Sequence, residues 1–412
     1  MIKKILSTFS TNIVVVLMGF GLSMIIAKGL GPDGYGTYNY VQLAPTTLYA
    51  AMSLGYFSET IYFLKKSNYS IKDIFIASIW VFIILAIAEI TCITLIHMVI
   101  PVESLLFVLV FIIIINFNNF LMPFLFGIGK IGVRNKMYLI NSGISFIGIF
   151  INYTFFRKSF TIVSVFSMQI LANSIIIIIG LYEIKKTFKE KMNFWSGRSI
   201  QVVKSVINLS KYEYVSNLAN YLNYRIDQWV ILYVLGRYQL GIYALAISLV
   251  EKFWLLPDTI STIIYPEVSE RNDYKSITKN IDKMLFYIIT LGMIGWAISL
   301  IILEPLVNIF FGNKFIQSAI IIKIIFPVIV LFSAQKIIAA FFCGLGRQDL
   351  RLKASVLSMV LNAICNIFMI PRLGIYGAAL SSVISYSMYS LWLIYLYIKV
   401  KANVSLFIKI RN

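Results

Sequence analysis

Long apolar runs constrain this chain more than any other feature. Residues 78–99 (SIWVFIILAIAEITCITLIHMV) and 104–127 (SLLFVLVFIIIINFNNFLMPFLFG) are two of them. A helix needs about 20 mostly apolar residues to cross the hydrocarbon layer, and in lipid only a helix or a closed barrel satisfies its backbone polar groups. Runs of this length predict helical spans near 8–30, 37–64, 74–98, 102–126, 137–156 and 161–183. A second set falls near 207–235, 239–265, 281–303, 316–343, 354–371 and 376–398. Pro101, and Pro371 with Gly374, mark breaks between neighbouring spans, and Pro45 and Pro257 are candidate kinks. The expected fold is an all-α polytopic membrane protein with about twelve transmembrane helices. Composition agrees: apolar types make up 59% of the 412 residues and charged types 13%, about half the soluble average.

Twelve spans put both termini on one side. The loops and helix ends of that side hold 25 of the 36 basic residues, and the opposite loops hold six: Lys28, Arg157, Lys158, Arg237, Lys314 and Arg372. The positive-inside rule then predicts cytoplasmic termini. It also accounts for most of the net charge of +19. The first apolar run, following Met1–Asn12, is expected to be a retained helix rather than a cleaved leader.

Several chemistries find no support. Cys92, Cys343 and Cys365 sit singly in apolar runs, and His97 stands alone, so neither a metal site nor a histidine-based acid/base site is expected. No G-x-x-x-x-G-K-[ST] loop is present for an ATP-driven motor. We expect no cofactor, no nucleic-acid partner and no catalytic activity.

The chain repeats itself. LGPDGYGTY (30–38) and LGRYQLGIY (235–243) share Leu, Gly, Gly and Tyr at an offset of 205, and GIGKIGVRNK (127–136) and GLGRQDLRLK (344–353) share Gly, Gly and three basic positions at an offset of 217. An even number of spans per half makes the repeats parallel, the arrangement of transporters that rock two bundles around a central site. The expected organisation is a six-helix bundle over 1–183, a basic cytoplasmic linker over 184–206, a second six-helix bundle over 207–398 and a cytoplasmic tail over 399–412.

Ionisable groups inside spans cost about 2.5–3.5 kcal/mol each at the bilayer centre and tend to face a cavity or a partner. The seventh span is richest: Glu213, Ser216, Asn217, Asn220, Tyr224 and Asp227 form one polar stripe at about 100° per residue. Arg225 points away from Asp227 and needs a partner on another helix, such as Glu59 or Glu251, or an anion. Gly19 and Ser23 form a close-packing step between helices.

AKGLGPDGYGTYNY (27–40) resembles the ARxLGPxxYGxY signature of Wzx-type polysaccharide flippases, within the multidrug/oligosaccharidyl-lipid/polysaccharide exporter superfamily. Lys28 stands where that signature has Arg. Asp227 with LGRYQLGIYALA (235–246), FFGNKF (310–315), GLGR (344–347) and PRLGIYGAA (371–379) are similar to later landmarks of the family, in the same order. The resemblance implies two six-helix bundles in a V around a central cavity. It also implies flipping of an undecaprenyl-pyrophosphate-type oligosaccharide across the bacterial plasma (inner) membrane, for O-antigen or capsule synthesis. Partners would be that anionic lipid, membrane lipids, and a polysaccharide polymerase and chain-length regulator. On this reading Arg225, Lys252, Lys28 and Lys336 are candidate cargo contacts, and Asp227, Glu59, Glu213, Asn220 and Glu251 are candidate ion-coupling or cavity residues. The competing readings are a cation-coupled multidrug exporter, which a basic cavity disfavours, and a polymerase or membrane acyltransferase. The missing large external loop argues against a polymerase.

Overall fold

In the computed structural model, residues 2–66, 69–99, 105–188, 197–270 and 274–402 are described. Among them the ordered elements are α-helices joined by short turns. The helices are α1 (Ile2–Met52), α2 (Tyr56–Lys66), α3 (Ile71–Val99), α4 (Leu105–Gly127), α5 (Ile131–Phe155) and α6 (Ile162–Thr187). They continue as α7 (Gly197–Val250), α8 (Leu255–Glu270), α9 (Tyr274–Phe311), α10 (Ile316–Gly344), α11 (Gln348–Leu373) and α12 (Ile375–Ala402). Ten stretches among the described residues are long and apolar enough to cross a membrane.

Two of those ten, Phe9–Met52 and Tyr214–Ser261, run to 44 and 48 residues. At about 1.5 Å per residue each is roughly 65–70 Å long, twice the hydrocarbon layer. Each has a glycine break near its middle, at Gly31 (φ 68°, ψ −177°) and at Gly236 (φ 83°, ψ −177°). A positive φ with extended ψ is open essentially to glycine alone. The break therefore falls on the same residue of the repeated LG motif in both halves, and it divides each long helix into two spans.

The second repeated motif also recurs as structure. The Lys130 N–H bonds to the Leu125 carbonyl at 2.9 Å and the Gly129 N–H to the Phe126 carbonyl at 3.1 Å. In the other half the Arg347 N–H bonds to the Phe342 carbonyl at 2.9 Å and the Gly346 N–H to the Cys343 carbonyl at 3.0 Å. Each donor and acceptor is displaced by the same 217 positions read from the sequence.

The expected kinks lie elsewhere in part. The helix runs through Pro45, and the chain turns instead at Ser53–Gly55, where Leu54 and Gly55 have positive φ. Pro257 sits in the first turn of α8, behind a 3-10 turn at Glu251–Trp254, where its missing N–H is an orphan in any case. Pro371 and Gly374 do end a helix, α11. Pro101 lies outside the described residues.

The chain falls into two compact units, residues 1–30 with 40–214 and residues 31–39 with 215–412. Of the stretch 184–206, the residues up to Thr187 complete α6 and those from Gly197 on begin α7. Val202 and Val206 are fully buried in the first unit's core with Tyr56, Phe75, Phe120 and Phe124. That core is aromatic: Phe75 packs 5.0 Å from Phe124 and 5.6 Å from Phe120, and Phe82 lies edge-on 5.1 Å from Phe117. Because lipid tails are as apolar as leucine, such packing holds helices together by fit and close contact rather than by escape from water.

Candidate functional site

The polar residues singled out in the seventh span fall on α7, and in the second unit Asp227 and Arg225 face opposed sides. Asp227 is fully buried. One carboxylate oxygen accepts from the Gln228 backbone N–H at 2.7 Å; the other accepts from the Tyr243 hydroxyl and, at 3.4 Å, from the Ser382 hydroxyl. Tyr243 closes the repeated LGxxxxGxY motif, so that motif supplies a donor for a buried acid.

Below Asp227 a polar seam joins α7 to α11 and α12. The Asn223 side-chain amide donates to Ser358 at 2.9 Å. The Asn362 amide donates to the Asn223 backbone carbonyl (2.9 Å), to Asn223 Oδ1 (2.8 Å) and to Ser385 (3.0 Å). Asn366 donates to Asn362, and Ser358 to the Ser385 carbonyl at 2.8 Å. Every member is buried. This seam was not read from the sequence. The spacing of Asn362 and Asn366, one turn apart on an apolar helix, was the available signal.

Arg225 points away from Asp227, as two positions about 200° apart on a helix must. Its guanidinium holds Glu251 through both nitrogens, at 2.7 and 3.0 Å. The pair is half-buried. Glu251 belongs to the 3-10 turn that precedes α8. Of the two partners considered for Arg225, the structure brings Glu251 to it. Lys336, from α10, pairs with Asp258 at 2.7 Å and lies 4.3 Å from the Trp254 ring. Trp254 packs in turn with Tyr224 and Phe332, at 5.1 and 5.4 Å.

Lys252 follows Glu251 in the same turn, half-buried. Among the described residues no carboxylate lies within salt-bridge distance of it, since its neighbour Glu251 is committed to Arg225. Lys28 is exposed, with no such partner among the described residues either. Asn220 is buried on α7, beside the seam. Glu59 and Glu213 belong to α2 and α7, but their side chains lie outside the described residues.

One acid escaped the sequence reading. Glu89, in the middle of α3, is fully buried and accepts from the Asn116 amide of α4. No group of three or more His, Cys, Asp or Glu residues is placed to hold a metal ion among the described residues.

Known proteins give this geometry a context. Residues 1–270 match the model of a family described as polysaccharide biosynthesis protein. A Staphylococcus aureus capsular polysaccharide biosynthesis protein, CapF, is 24% identical over 93% of this chain and 96% of its own length. A Haloferax volcanii protein named probable low-salt glycan biosynthesis flippase is 27% identical over 50% of this chain, and that match spans 43% of the relative. Among solved structures, the lipid II flippase MurJ in an inward closed conformation superimposes with a TM-score of 0.73 at 16% identity. It covers 100% of this chain and 90% of its own. An inward-facing multidrug resistance transporter of the MATE family gives 0.71 at 14% identity, covering 97% and 98%. The chain is therefore a multi-pass helical membrane protein with the fold of the MATE and MurJ transporters, and it belongs to the polysaccharide biosynthesis protein family.

Proposed function

We propose that the protein flips a lipid-linked oligosaccharide, carried on an undecaprenyl-pyrophosphate-type lipid, from the cytoplasmic to the outer leaflet of a bacterial plasma membrane. It does so as a transporter rather than an enzyme, and it supplies O-antigen or capsule synthesis alongside a polymerase and a chain-length regulator. Both termini lie in the cytoplasm. A sugar head group cannot cross hydrocarbon unaided, because its hydroxyls would lose their hydrogen bonds to water. The observation that carries this reading is the α7–α8 corner of the second unit. There Arg225 and Lys336 each hold a carboxylate, while Lys252 has none within reach among the described residues. A drug exporter for cationic cargo would place an open acid there.

Lys252 is then the first contact for the head-group phosphates. Arg225, a planar fork suited to phosphate, exchanges Glu251 for them. Lys28 and Lys336 are further contacts, and Asp227, Glu59, Glu213, Asn220 and Glu251 are coupling or cavity groups. Moving each negative charge outward from an electrically negative interior gains about 2.3 kcal/mol per 100 mV, so a few exchangeable cations suit the task better than a dense cluster.

The test is flipping of the lipid-linked oligosaccharide in proteoliposomes, together with surface polysaccharide in cells. Lys252→Ala and Arg225→Ala should each lower flipping about tenfold or more at normal protein level, and Arg225→Lys less. Normal flipping by both Ala variants would end the cargo assignment.

A further inference from the structure

The first unit holds a buried acid that the proposed cargo path does not use. Glu89 has no exposed surface, and Asn116, facing it from α4, has essentially none. The Asn116 amide donates to Glu89 Oε2. That leaves Glu89 Oε1 and Asn116 Oδ1, two acceptor oxygens, buried with no donor. An unpartnered buried carboxylate oxygen is costly, and a second unpartnered acceptor beside it adds to the cost. Among the described residues no cationic side chain forms a salt bridge with Glu89. On α3 the buried neighbours one turn away are Leu85, Ala86 and Ile93, and Asn116 sits between Ile112 and Phe120 on its own face. Among the described residues the other ionisable groups of this neighbourhood are Tyr49 of α1, and Cys92 and His97 further along α3.

A single hydrogen resolves both orphans. Placed on Glu89 Oε1, it turns that oxygen into a donor, and the acceptor it then needs is the one Asn116 Oδ1 supplies. Acid and amide would face each other through two hydrogen bonds, N–H to Oε2 and O–H to Oδ1. We propose that Glu89 and Asn116 form a proton-binding site in the first unit, a carboxylic acid held against an amide. The step is the addition of one proton from water to the carboxylate, and its return to water on release. A group sealed from water in this conformation can exchange its proton only in another that wets it, so proton exchange is tied to conformational change. A role for that exchange in transport rests on the flippase reading; the proton binding does not.

The test is infrared difference spectroscopy of the purified full-length protein in lipid bilayers, stepped from low to high pH. Wild type should lose a protonated-carboxyl C=O band that Glu89→Gln lacks. Asn116→Leu should keep the band at a higher frequency, its hydrogen bonds removed; this variant decides the matter if Glu89→Gln does not fold. The same band in Glu89→Gln, or a band unmoved in Asn116→Leu, overturns the proposal. So does loss of the band on adding sodium at fixed pH, which would make the ligand a metal cation. Because this readout needs no cargo, its failure and that of the flippase reading are distinguishable.

Discussion

The two units are built from similar helices but are glued differently. The first packs through rings: Phe57, Phe75, Phe82, Phe117, Phe120 and Phe124 form a continuous aromatic chain, and its polar contacts among the described residues are small groups such as Asn118 and Asn141, which donate to Asn173 at 2.8 and 3.4 Å. The second joins α7, α11 and α12 through a run of Asn, Ser and Tyr groups that ends on Asp227. Shape complementarity tolerates small slips along a helix axis. A seam of directional hydrogen bonds does not, because a slip of one residue would leave several polar groups unsatisfied in a medium with no water to replace them. The unit that carries Arg225, Lys252 and Lys336, three of the four candidate cargo cations, is thus the one whose helix register is pinned.

The sharpest way to break the comparison is to attack the place where the halves are built alike. Inside the second unit a Cβ on Gly36 would run into the carbonyl oxygen of Arg237, and one on Gly241 into that of Pro32. The contact is reciprocal across the repeat, for 32 and 237, like 36 and 241, are 205 apart. Backbone cannot move aside as a flexible side chain does, so Gly36→Val and Gly241→Val should each destabilise by about 3 kcal/mol or more. Folded yield and thermal unfolding in detergent would show it, and a clear inequality between the two would contradict the symmetric contact.

Next in size come Phe120→Ala and Asn362→Leu. Removing a ring from the first unit's aromatic chain should cost about 3 kcal/mol. Asn362→Leu fills the space but strands Asn223, Ser385 and Asn366, and should cost about 2 kcal/mol. Phe120→Leu should recover much of the Ala loss, whereas Asn362→Asp should recover little. The same unfolding assay reads both, and equal recovery would erase the distinction between shape and hydrogen bonding.

The smallest effect is expected at Lys323→Met. Its 2.6 Å pair with Glu304, whose side chain is 48% exposed, should contribute about 0.5 kcal/mol or less. A loss above about 1.5 kcal/mol would mean that peripheral ion pairs also hold the second unit together.

What the sequence determined by itself is whatever depends on local order along the chain. Apolar run length set the spans, because hydrocarbon thickness is a fixed ruler. The duplicated LG and GxG motifs told where each half breaks and turns, because the backbone at Gly31 and Gly236 needs a residue without a Cβ. The opposed directions of Arg225 and Asp227 followed from helical periodicity alone. Only the tertiary structure decided which groups meet. Glu251 as a partner that Arg225 holds, Asp258 as the partner of Lys336, and the enclosure of Glu89 by Asn116 are contacts between residues separated by 26, 78 and 27 positions. An acid in an apolar run looks the same on paper whether it faces lipid, a lysine or an amide. The choice among these is made by helix rotation and packing, which no spacing along one chain encodes.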